Sequence, residues 1–188
     1  QAGVLNIGLE GMMLLGAYLG FVVANWTGSS WIGFAAAIVA GIHDAGHRNH
    51  VLELDRDAAI RFAIDPRRVY LSGFSNGSMF AHWFAVESPG LVAAIAGVAG
   101  GLSAIPREGC ARPPAVRITH GFLDDHVPFE GGEGGAALDP YDHVPVQRTE
   151  SWWRAQGGHV EAVYGKWGHV CPEGEAARQW AFFEGFRL

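Results

Sequence analysis

Cysteine is scarce in this sequence, with Cys110 and Cys171 the only two. Cys110 precedes one predicted strand and Cys171 follows another, so parallel strands would start the two thiols at opposite ends of a sheet. A strand of five or six residues spans about 17–20 Å, beyond disulfide reach unless a loop doubles back. Two free thiols are expected, and the redox compartment stays open. Basic residues are also few: 13 Lys and Arg stand against 19 Asp and Glu, with a net charge of −6 and no basic run. A nucleic-acid partner is thereby excluded on electrostatic grounds. Internal repeats and low-complexity linkers are absent. What is plentiful is glycine, at 27 residues, with aromatics at 12% of the 188 residues. That mix suits tight turns around one packed core better than disorder, in a chain short for a large α/β enzyme.

Charge is nearly missing from residues 1 to 42, where Glu10 stands alone. A membrane span needs about 20 predominantly apolar residues, and "GVLNIGL" followed by "GMMLLGAYLGFVVANW" approaches that. No basic residue occurs before Arg48, so a signal peptide's positive flank is lacking and orientation cannot be read from charge. A buried helix followed by a buried strand "GFAAAIVAGI" fits the same residues, and periodicity does not separate the two readings. "GVLNIGLEGMMLLGAYLG" and "TGSSWIGFAAAIVAG" resemble the early membrane segments of sugar- or nucleoside-type ABC transporter permeases. The likeness ends there: no later apolar run reaches membrane length, and charges recur from Asp44 onward, which excludes a complete permease. The expected organisation is an apolar, permease-like segment at 1–42, packing on a sheet or associating with a membrane, and an α/β catalytic domain at 43–188.

The remainder reads as alternating strands and helices. A helix is expected over "HVLELDRDAAIRFA", ended near "IDPRR" because Pro66 biases Asp65 out of the helical region. The strand "VYLS", a helix from about Asn76 to Val86 and the apolar run "LVAAIAGVAG" come next. They lead to the strand "AVRITHG", a helix over "VQRTESWWRAQ", the strand "HVEAVYG" and a final helix over "GEAARQWAFFEGF". The glycine-rich "EGGEGGAALDP" reads as a surface loop.

Between the first of these strands and its helix lies "GFSNGS", a G-x-S-x-G pattern with Gly73, Ser75 and Gly77 in the fixed places. A strand that turns sharply into a helix strains the serine backbone, and glycines two residues to either side remove Cβ clashes. Met79 with Trp83 and Phe80 with Phe84 supply i,i+4 apolar pairs for the helix that follows. The other reading is a polar residue in a chance glycine turn. Serine at its ordinary acidity is a poor nucleophile and needs a histidine and an orienting carboxylate, in the chain order Ser, Asp/Glu, His. Asp124 and Asp125 lie at the exit of the "AVRIT" strand and His169 at the exit of "HVEAVYG". In an open parallel sheet functional residues gather outside the carboxyl ends of the strands, where all of these fall.

"IDPRRVYLSGFSNGSMFAHWFA", "HGFLDDHVPFEGG", "TESWWRAQGG" and "GHVCPEG…WAFFEGF" resemble, in unbroken order over about residues 55–188, the polyhydroxybutyrate-depolymerase and feruloyl-esterase group of α/β hydrolases. The resemblance implies a shortened α/β-hydrolase fold, a mostly parallel sheet flanked by helices with its early strands missing or replaced. It also implies a serine carboxylic-ester hydrolase with Ser75 as nucleophile, Asp124 rather than Asp125 as the acid, and His169 as the base. No cofactor is implied, and the substrate is a small or polymeric ester. One oxyanion donor would be the backbone N–H of Asn76. The second belongs to an early "HG"-type loop that residues 1–42 do not contain, and losing one such donor costs on the order of 100- to 1000-fold in turnover. The alternative is therefore a membrane-associated, fused or truncated product with an inert hydrolase part, or a binding module that keeps the turn without chemistry. A sheet edge left by missing strands needs cover, from "GFAAAIVAGI" or from a second copy in a homodimer. The expected setting is secreted or periplasmic, with membrane association the other option.

Nine histidines require sorting. His43, Asp44, His47 and His50 lie close enough to suggest a metal, but no motif supplies the distant ligand zinc sites recruit, and a solvated loop is expected, with no metal. His143 is the second choice for catalytic base, in a proline-bounded loop. His120 is expected to pack beneath the aspartate loop, and His82 on a helix surface or in the core. Trp152, Trp153 and Trp180 read as core residues on helices, whereas Trp167, two residues before His169, is the candidate for lining an acyl or aromatic pocket.

Overall fold

The computed structural model describes Arg56 and residues 65–134 and 142–188. The candidate membrane span, the strand "GFAAAIVAGI", the histidine cluster of residues 43–50, the division at residue 42 and all but Arg56 of the helix over "HVLELDRDAAIRFA" lie outside these residues. Among those described, no helix is long and apolar enough to cross a membrane.

Among the described residues, four parallel strands form the sheet: β1 (Tyr70–Phe74), β2 (Ala94–Val98), β3 (Ala115–Gly121) and β6 (Val160–Gly165), in the order β1-β2-β3-β6. Helices α1 (Asn76–Glu87), α2 (Val146–Ala155) and α3 (Glu175–Glu184) connect or follow them. The strand and helix expectations between Val69 and Phe186 match these elements to within a few residues. One difference concerns the glycine-rich loop, where Gly132–Glu133 (β4) pairs antiparallel with Asp142–His143 (β5), so that His143 sits on a short ladder rather than in open loop.

The sheet is buried on both faces, as parallel sheets require. On one side Leu71, Ile95, Val116 and Ile118 meet α1 and α2 through Phe84, Ala85 and Trp153. On the other, Tyr70, Ala94 and Ala96 meet α3 through Phe182 and Phe183, with the Tyr70 and Phe183 rings stacked at 4.9 Å. Trp153 is fully buried and Trp152 half-buried, as core readings require, but Trp180 is 38% exposed. The correction has a simple cause: α3 buries Glu175, Gln179, Phe182 and Phe183, and Trp180 falls off that stripe.

Helix α1 packs through its small residues. Its buried face is Gly77, Ser78, Ala81, His82, Phe84 and Ala85, while Phe80 and Trp83 only border the core. Small residues are needed because α1 lies close on β2: a Cβ added at Gly97 would overlap the Ser78 hydroxyl, and one at Gly100 would meet the Ser75 carbonyl oxygen at 2.5 Å. Within this face His82 is wholly buried, and its Nδ1 accepts the Trp153 indole N–H at 2.8 Å, tying α1 to α2.

Burial pushes the His82 imidazole down from 6.5 to about 3, so the folded protein holds it neutral. The unfolded chain binds a proton there below its ordinary value of about 6.5, and the folded chain does so only near 3. Stability from this group is therefore present above that upper value and drains away as the pH falls, by about 1.4 kcal/mol per pH unit, levelling off near the lower one. Urea unfolding of the wild type and His82→Leu is expected to show the stability gap between them narrowing by about that slope from pH 6 to pH 4. A gap that stays constant over this range would contradict a neutral buried imidazole.

Candidate active site

Ser75 follows the last residue of β1 and precedes the first of α1, with φ 54° and ψ −118°. A non-glycine residue at positive φ is strained, and here the close packing of the turn enforces it. A Cβ added at Gly73 would overlap the Gly77 backbone, which is the physical content of the glycine spacing around this serine. The turn is pinned by the Ser75 N–H donating to Val98 O at 2.8 Å.

Asp124 and His169 emerge from the loops after β3 and β6, at the same edge of the sheet. The His169 ring joins the other two residues: Nδ1 lies 2.9 Å from Asp124 Oδ2 and Nε2 lies 2.9 Å from Ser75 Oγ. An ionised carboxylate only accepts, so Nδ1 carries the hydrogen and Nε2 is left to accept the serine hydroxyl. The Asp124 side chain is fully buried and that of His169 is 15% exposed. Asp124 Oδ1 also accepts the backbone N–H groups of His126 at 3.0 Å and Val127 at 2.9 Å, which curls its loop around the carboxylate. Asp125 is excluded from this arrangement; its carboxylate is 82% exposed and bonds to His126 Nδ1 at 2.9 Å.

His120 lies beneath the aspartate loop. Its Nε2–H donates to Val127 O at 2.9 Å and sits 3.4 Å from Asp124 Oδ2, and burial pushes its imidazole below the ordinary value. His143, on the β4–β5 ladder, has no part in the Ser75–His169–Asp124 chain of bonds. Asn76 opens α1, which puts its backbone N–H at the helix N-terminus, where donors point outward. A second oxyanion donor, if residues 1–42 hold one, lies outside the described residues.

The structure packs Trp167 tightly over the strand exits. Its ring covers Gly165 and its carbonyl lies against Gly121, two glycines paired in register, and a Cβ at either would overlap it. The same carbonyl accepts the Leu123 N–H at 3.0 Å, so Trp167 links the loops of Asp124 and His169. Its indole remains half-buried. Phe74 packs on the His169 ring at 4.9 Å, and Phe122 and Leu123 stand exposed on the aspartate loop. The two cysteines are free, Cys110 buried and Cys171 exposed two residues beyond His169, with burial pushing both thiols up.

One feature escaped sequence reading. Glu175, at the start of α3 and 1% exposed, accepts from Arg117 Nε at 2.9 Å and Nη2 at 3.2 Å, from the Thr119 hydroxyl at 2.7 Å and from Arg178 Nε at 2.9 Å. Arg117 also pairs with Glu161 on β6. Burial raises the Glu175 carboxyl, but these donors outweigh it and hold the group below its usual range. The network fastens α3 to β3 and so fixes the far end of the loop that carries His169. Its only sequence signal is a charged residue, Arg117, inside the predicted strand "AVRITHG".

No family model matches the chain. A protein of Nocardia uniformis subsp. tsuyamanensis named "Putative esterase NocK" is 38% identical over 96 residues, covering 43% of this chain and 27% of that protein. A protein of Haloferax volcanii named "Putative glucose ABC transporter permease protein TsgC13" is 57% identical over 42 residues, covering 22% of this chain and 13% of that protein. The chain thus spans about a quarter or less of either curated relative. Among solved structures, the esterase PE8 superposes with a TM-score of 0.54 at 22% identity, over 69% of this chain and 55% of that one. The fold is a shortened α/β-hydrolase fold.

Replacing Glu175 by Gln leaves Arg117, 2% exposed, without its main counter-charge. A loss of about 3–5 kcal/mol is expected, read as a lower urea midpoint. A change within about 0.5 kcal/mol would show that the network contributes little.

Proposed function

We propose that the chain is a serine carboxylic-ester hydrolase in which Ser75, His169 and Asp124 act together by acyl transfer. The observation that carries this reading is the continuous hydrogen-bond chain from Ser75 Oγ through both ring nitrogens of His169 to Asp124, at 2.9 Å on each side of the ring. Ser75 Oγ attacks the ester carbonyl carbon as His169 Nε2 takes its proton, and Asp124 stabilises the imidazolium that results. The carbonyl oxygen becomes an oxyanion near the N-terminus of α1, where the Asn76 N–H stabilises it. The alkoxide leaves with the proton from His169, and water, deprotonated by the same nitrogen, releases the acid from Ser75. No step calls on a cofactor. The partly buried Trp167, with Phe74 and the exposed Phe122 and Leu123, offers an apolar wall to the non-reacting part of the ester. The short match to "Putative esterase NocK" adds support from sequence. Polyester and feruloyl esters, implied by the sequence resemblance, are the substrates to compare first.

A second reading rests on the 42-residue permease likeness: residues 1–42 act as a separate apolar segment that holds the domain of residues 43–188 at a membrane. Fractionation checks it. Membrane retention that disappears on deletion of residues 1–42 supports the reading, and recovery of the full chain in the detergent-free soluble fraction removes it.

The principal test is release of p-nitrophenol from short-chain esters together with fluorophosphonate labelling. Ser75→Ala is expected to lose labelling and to reduce turnover by at least about 10⁴-fold, with Asp124→Asn lower by a similar factor. Turnover unchanged in Ser75→Ala would refute the proposal.

A further inference from the structure

Outside the bond chain just described, the His126 ring lies against His169. The two rings stack at 4.8 Å between centroids and 19° between planes, on a histidine that Phe74 contacts at 4.9 Å. His126 is held at two points: its backbone N–H donates to Asp124 Oδ1, and its Nδ1 bonds to Asp125 Oδ1 at 2.9 Å. The result is two aspartate–histidine pairs side by side, Asp124 with the buried ring and Asp125 with the outer one. The outer pair is solvent-exposed, with His126 at 56% and Asp125 at 82%, so it exchanges protons freely with water.

We propose that His126 is a positioning residue for His169, its Asp125-tethered ring fixing the plane of the base. This deepens the proposed function, since it rests on His169 acting as the base. The hydrogen bond from His126 holds the Asp125 carboxyl below its ordinary range, so the tether keeps a charged acceptor. With Nδ1 of His169 bonded to Asp124 and one ring face covered by the tethered His126, the plane of the base is fixed from two sides and its Nε2 stays aimed at Ser75 Oγ.

The test measures kcat and KM on p-nitrophenyl acetate in the full-length protein, beside the order parameter of the His169 ring from NMR relaxation. His126→Ala frees the ring, and it is expected to lower kcat about tenfold with KM little changed and to lower the His169 order parameter. His126→Phe keeps a stacked ring and is expected to restore both. A kcat and a ring order parameter in His126→Ala equal to those of the wild type, or no recovery of either in His126→Phe, would overturn the proposal. The order parameter is read without turnover, so the two readings separate. A loosened His169 ring in a protein with no Ser75-dependent ester release leaves the positioning role standing and removes the esterase. Ser75-dependent release with an unmoved ring does the reverse.

Discussion

The buried carboxylate of Asp124 organises the carboxyl edge of this sheet. A charge taken out of water must be met by donors, and Asp124 finds His169 Nδ1–H and two backbone N–H groups of its own loop. Each donor is also a constraint. The bond from His169 fixes which ring nitrogen carries hydrogen, and so leaves the other free to face Ser75. The two backbone bonds bend residues 124–127 into the turn that displays His126 on the outer face of His169. Remove this anion and the tautomer, the turn and the stacked ring lose their common cause.

That arrangement is only as stiff as the loops that deliver it, and these are stiffened from behind. The loop of His169 runs from β6, under the Trp167 ring, to the buried Glu175 at the start of α3. Arg117 and Thr119 hold Glu175 from the same face of β3, and Arg117 reaches β6 through Glu161 as well. Buried ion pairs contribute little net stability against an apolar alternative, but breaking one leaves an uncompensated charge. In such a network the donors that Arg117 and Thr119 direct at Glu175 tie the start of α3 to one position along β3.

Several of these parts were legible in the sequence because their signals are local. The G-x-S-x-G turn between an apolar strand and an aromatic-rich helix is a short-range steric requirement, seen in the overlap a Cβ at Gly73 would make with the Gly77 backbone. Strand exits could be located from the apolar runs, which put Ser75, Asp124 or Asp125, and His169 at one edge. The choice of Asp124 over Asp125 came from family resemblance, since adjacent aspartates have no distinguishing spacing; burial separates them, at 5% for the whole of Asp124 against a largely exposed Asp125. Arg117 and Glu175 were illegible because their partnership spans 58 residues and two elements. Which face of α1 turns inward was illegible for a related reason. Large aromatics dominate a helical pattern, yet the distance to β2, set by Gly97 and Gly100, decides which side can face inward.

The strain at the edge has a structural counterpart. Besides Ser75, Ala99 is the other non-glycine residue at positive φ among those described, at 52°, and it too follows directly on a strand. Conformations of this kind cost on the order of 1–3 kcal/mol each and persist only where surroundings over-determine them. Here each strand exit donates one hydrogen bond to the next strand in sheet order: Ser75 N–H to Val98 O, Ala99 N–H to Thr119 O and Phe122 N–H to Gly165 O. The bonds run from β1 to β2, β2 to β3 and β3 to β6, so the sheet's ladder continues one step past its strands and into the three loops. Because side chains alternate with a period of two, a one-residue slip anywhere in that ladder would turn the face of a whole strand and carry its exit with it. The position of Ser75 against His169, four strands across the sheet, is thereby a consequence of register throughout, with the strained residues held at the points where the ladder meets the loops.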